Sequence, residues 1–101
     1  LRLNPAARNL ILLHDETNLQ KVPFLWVDDQ WWQVRLQMTP ADSSNSTIVK
    51  FKLWPNKENE PKKWLVSEKF DIKYKGGKCA LWGFPYASTP IAFDNLLILS
   101  K

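Results

Sequence analysis

The sequence is poor in the residues that carry metal and nucleophile chemistry. It has one histidine, His14, and one cysteine, Cys79, in 101 residues. A single cysteine excludes an internal disulfide. Cys79 lies in the run Lys78-Cys79-Ala80-Leu81-Trp82 with no activating neighbour, so it reads as a small buried apolar residue rather than a reactive thiol. Any Ser-His-Asp triad would have to use His14, which ends an apolar run with no nucleophile motif beside it. One His and one Cys far apart do not make a zinc site. No apolar stretch approaches the roughly 20 residues that span a bilayer. No basic segment followed by an apolar one opens the chain, so no signal peptide is visible. The first residue is Leu1 rather than Met, as expected of a processed, excised or partial product. Amphipathic helical periodicity is absent throughout. The net charge of +4 is modest and acidic residues are spread along the chain, which makes nucleic acid a poor partner.

What the chain does have is tryptophan, six of them, within 45% apolar and 24% charged residues. That composition suits one globular domain. Residues 47–64 organise it. Val49, Phe51 and Leu53 alternate with Lys50, Lys52 and Trp54, the period-two signature of a half-buried strand. Pro55 stops the run, residues 56–63 read as a solvated loop, and Trp64 reopens an apolar segment.

The same reasoning marks the other strands. Residues 1–3 are a short apolar start, followed by the turn Asn4-Pro5-Ala6-Ala7. Residues 9–14 hold Leu10, Ile11, Leu12 and Leu13 in succession, a run buried on both faces. Residues 15–18 read as a hairpin turn and 21–27 as a strand that Pro23 pushes to an edge or an end. In residues 31–38, Trp32, Val34, Leu36 and Met38 share one face and Trp31, Gln33, Arg35 and Gln37 the other. Phe70, Ile72 and Tyr74 alternate ahead of the Gly76-Gly77 turn, and residues 78–84 and 91–99 complete the strand set. Strands every 10–15 residues with turns between them predict an all-β antiparallel sandwich or jelly roll. Its core holds Trp32, Val34, Leu36, Val49, Phe51 and Leu53.

From Trp31 onward the order of features resembles a known family. A Trp precedes an alternating strand (Trp31-Trp32-Gln33-Val34-Arg35-Leu36-Gln37-Met38), and a second strand ends in Trp54-Pro55. Then follow Glu60-Pro61-x-x-Trp64, a Gly-led strand (Gly76-Gly77-Lys78-Cys79-Ala80-Leu81-Trp82-Gly83) and Phe93-Asp94-Asn95. Together these resemble the concanavalin A-like, laminin-G-type jelly rolls, including bacterial domains related to 3-keto-disaccharide hydrolases. The resemblance covers about two-thirds of the chain and implies its C-terminal part. A complete jelly roll of this type is nearly twice as long. It follows that the first strands come from another chain, lie outside this sequence, or are dispensed with in a reduced fold. An uncovered half would expose apolar faces and sheet edges.

The resemblance does not extend to catalysis. Glycosidases of this fold carry Glu-x-Asp-x-x-Glu on one strand, a pattern missing here. Asp15-Glu16 and Asp28-Asp29 are adjacent pairs in turns, where carboxylates are simply solvated. No enzyme is expected. Sugar recognition needs a flat aromatic face with planar polar groups beside it. Trp31, Gln33 and Arg35 on one strand, with Lys50, Lys52 and Trp54 on the next, supply that character. The competing reading is the ordinary solvated face of a sheet. Asp94, a carboxylate in an apolar last strand, either contributes to structural calcium, as a late-strand Asp does in related jelly rolls, or caps a neighbouring loop or meets Arg35 or a Lys. No other cofactor is indicated. Asn45-Ser46-Thr47 is an N-glycosylation sequon in an expected loop and fits an extracellular or cell-surface chain. The expected function is a non-catalytic carbohydrate-binding or adhesive module. The alternatives are an assembly domain completed by another chain through strand pairing, and single-stranded nucleic-acid binding.

Overall fold

A computed structural model describes residues 1–41, 45–83 and 90–99. Among them there is no helix. Six strands form two three-stranded antiparallel sheets, each with its strands side by side in chain order.

The first sheet joins β1 (Arg2–Asn4), β2 (Asn9–His14) and β3 (Thr17–Pro23). The β1–β2 turn closes through Arg8 N–H donating to Pro5 O at 3.0 Å, with Arg8 at φ 54°. The β2–β3 turn is only Asp15-Glu16, since His14 already pairs with Thr17. Both residues have positive φ, 48° and 65°, as a two-residue hairpin of primed type requires. The expected turn at 15–18 is therefore shorter, and β3 runs over residues 17–23 rather than 21–27. Lacking the Asn-Gly signal, this turn had no local mark of its tightness. A register shift between Leu12 and Leu13 takes up one extra residue on β3.

The second sheet joins β4 (Trp32–Pro40), β5 (Thr47–Pro55) and β6 (Val66–Phe70). β5 is central and pairs with β4 along its whole length, from Trp32 opposite Pro55 to Pro40 opposite Thr47. Leu10 and Leu12 of the first sheet meet Val49, Phe51, Leu53 and Val66 of the second in one buried cluster. Phe51 and Leu10 are wholly inaccessible. Burying a side chain of this size stabilises by about 1.5–3 kcal/mol. Phe24, Trp26 and Trp32 close one side, edge to face, with ring centres 4.7–5.3 Å apart.

Three expectations are corrected here. Val34 and Leu36 are not core; they are 45% and 43% exposed, although their cross-strand partners Leu53 and Phe51 are buried. Among the described residues β4 is an edge strand, paired on one side only, so its apolar row is flanked by a strand on that side alone. Residues 78–83 and 91–99 form no strand among the described residues. Apolar side chains favour extension, but a strand exists only where its backbone pairs with a neighbour, and these residues join no ladder. Positive φ at Gly76 and Gly77 marks the turn ahead of the first run, and left-handed backbone at Asn95 interrupts the second. Residue 84 lies outside the described residues. Cys79, being in this strandless region, is exposed rather than buried.

Candidate functional site

Alternation along β4 and β5 puts Gln33, Arg35 and Gln37 opposite Trp54, Lys52 and Lys50 on the face away from the core. That face is not simply solvated. The segment after Pro55 turns back, with Glu58 N–H donating to Pro55 O at 3.0 Å, and Leu65 N–H reaches Phe51 O at 3.0 Å. Residues 56–65 thereby lie against the outer side of β5.

Lys52 is the pivot. Its ammonium donates to Glu60 Oε2 and to Pro61 O, both at 2.7 Å, and sits 4.6 Å from the Trp64 ring centre and 5.9 Å from that of Trp54. Arg35 Nη2 meets the other Glu60 oxygen at 3.1 Å. Lys52 is 6% exposed. A cation this deep persists only when paired and hydrogen-bonded, and the two indole faces add cation–π attraction. The hydrogen bond from Lys52 holds the Glu60 carboxyl below the usual carboxylate range, helped by the charges of Arg35 and Lys52 and opposed by partial desolvation. Lys50 approaches Trp64 at 5.9 Å.

Beside this latch, Trp31 stands 54% exposed just ahead of β4. Its carbonyl accepts the Asn56 N–H at 2.8 Å, and Gln33 Nε2 donates to Asn56 Oδ1 at 2.5 Å. A cleft of about 180 Å³ opens among Trp31, Trp32, Gln33, Asn56, Asp94 and Asn95. A second, of about 260 Å³, is lined by Asp29, Gln30, Trp31, Asn56 and Lys57. Trp31 and Asn56 belong to both. Each cleft is smaller than the roughly 300–1,000 Å³ pockets that enclose drug-sized ligands.

The candidate ligand residues therefore divide. Trp31 and Gln33 line the first cleft. Arg35 and Lys52 are engaged by Glu60, and Lys50 and Trp54 flank the latch. Asn56 and Lys57 carry no sign of a site in the sequence, and Asp29 reads there only as a solvated turn carboxylate, because a loop residue bears no mark of which strand its loop folds against. Asp94 is exposed and its Oδ1 accepts the Asn95 N–H at 2.9 Å. It meets neither Arg35 nor a buried environment. Among the described residues no three His, Cys, Asp or Glu side chains come together. Asn45 is exposed in the turn ahead of β5, while Thr47 of the same sequon is buried and donates to Ile72 O at 2.6 Å. No helix among the described residues is long and apolar enough to cross a membrane. Comparisons with protein-family models, with curated proteins and with solved structures return no match.

Proposed function

We propose that this chain is a non-catalytic, lectin-like carbohydrate-binding or adhesive module, built as an antiparallel sandwich of jelly-roll type. The sandwich reading draws support from the single cluster that both sheets share. One observation carries the binding reading: an exposed indole flanked by planar amides and carboxylates contributed by separate segments of the chain. The C–H face of a pyranose would lie on Trp31. Gln33 and Asn56 would accept from and donate to its hydroxyls, and Asp94 or Asp29 would accept from them. An extracellular or cell-surface setting agrees with the exposed Asn45 sequon. Phosphate-bearing ligands are disfavoured at the clefts, since Asp29 and Asp94 line them while Arg35 and Lys52 are already paired with Glu60.

A glycan array followed by tryptophan-fluorescence titration tests this. Binding of a defined glycan should weaken about tenfold or more, about 1.4 kcal/mol, in Trp31→Ala. The folded spectrum should be retained. Silence across broad glycan classes, or binding indifferent to Trp31, would end the reading.

A further inference from the structure

The inner row of β4 is an apolar strand face left about half exposed. Val34, Leu36 and Met38 are 43–52% exposed, while Leu53, Phe51 and Val49 directly opposite are at most 8% exposed. The row is thus continuous with the core. Among the described residues no strand pairs with the outer edge of β4 along its nine residues. At the other end of the chain, Leu96, Leu97, Ile98 and Leu99 are 55–80% exposed and join no ladder. The two features are neighbours, because Asp94 and Asn95 share a cleft with Trp32 and Gln33 at the start of β4.

We propose that residues 96–99 of one copy add as a strand to the free edge of β4 in a second copy, reciprocally, to give a two-fold dimer. The same chain supplies both an open edge and an unpaired apolar ribbon. Rooted at the Trp32 end, the ribbon could follow its own β4 only in the parallel sense, the slanted and slightly weaker ladder. On a two-fold-related copy it meets β4 antiparallel. Each ribbon then starts beside the edge that receives its counterpart, so the exchange closes as a dimer. The apolar side chains of the added strand extend the half-covered row of Val34, Leu36 and Met38. This inference does not depend on the carbohydrate reading.

Light scattering on the full chain across a concentration series tests it. The expected result is twice the single-chain mass. It should fall to the single-chain mass in Leu36→Lys, which charges the receiving row, and in Leu97→Lys, which charges the donated strand. Both positions are already exposed, so folding should survive; Met38→Lys is a second receiving-row variant should Leu36→Lys misfold. An equimolar mixture of the Leu36→Lys and Leu97→Lys chains should regain a dimer, because one intact junction remains. A monomeric parent chain would overturn the proposal, as would a dimer that neither substitution dissociates. So would slow amide exchange along the outer edge of β4 in a monomer, which would mean that the ribbon pairs within its own chain.

Discussion

The two sheets differ in how they were made. The first is almost wholly local: β1, β2 and β3 follow one another through tight turns, and β2 buries three residues in a row, Leu10, Ile11 and Leu12. The second has two nine-residue strands and longer connections, and both of its faces carry something unfinished. Its inner face leaves β4 half uncovered; its outer face is crossed by residues 56–65 and opens into the Trp31 clefts. Both sheets join consecutive strands, but only the second has a connection long enough to fold back over its own face. An edge left half covered and a returning loop result, and the candidate chemistry of this protein is found there.

The largest expected effect asks whether the two sheets are one cooperative unit. Phe51→Ala in the second should cost about 3–5 kcal/mol, and Leu10→Ala in the first about 2–5 kcal/mol. Because both side chains belong to one cluster, each substitution should lower the same single urea transition. Two separable transitions would divide the molecule into its sheets.

Next comes the latch, which only the second sheet has. The folded-state pKa of Glu60 lies below its ordinary value of 4.5. Its ionised form therefore contributes stability above that value, and the contribution is lost as pH falls through the depressed folded-state pKa. Glu60→Gln should loosen residues 56–65, leave the Lys52 ammonium without its anion, and flatten the acid limb of the stability–pH curve. Hydrogen exchange in that segment, followed at neutral and acid pH, provides the check. Unchanged exchange in Glu60→Gln would show that the Lys52–Glu60 contact does not hold the loop.

The smallest effect belongs to the first sheet. Glu16 has φ 65°, a conformation costing a non-glycine residue roughly 1–2 kcal/mol. Glu16→Gly should remove part of that cost and raise the midpoint of thermal unfolding slightly. A lowered midpoint would mean that the Glu side chain stabilises the hairpin in some other way.

Legibility in the sequence follows the same division. Alternation told correctly that Val49, Phe51 and Leu53 face the core, because Val49 and Phe51 have a strand on either flank and Leu53 packs into the same cluster. Identical alternation in β4 named the right face and the wrong burial, since it reports orientation and not whether anything lies opposite. Lys52 alternates outward as expected, yet it is buried by Glu60, Pro61 and Trp64 from a loop that looks fully solvated on paper. Trp31 and Gln33 were visible as a polar and aromatic pair. Their companion Asn56 was not, because its place is set by a hydrogen bond across the sheet end.

Half of the strands, β3, β4 and β5, end on proline: Pro23, Pro40 and Pro55. A proline ring has no N–H to offer. In each case the next residue donates back into the neighbouring strand, Phe24 to Arg8, Ala41 to Ser46 and Asn56 to Trp31, so the proline nitrogen faces the other way. The ladder each strand already makes therefore loses nothing to its ring. What the ring removes is a donor on the outward side, so a further strand arriving there would find the last rung blank.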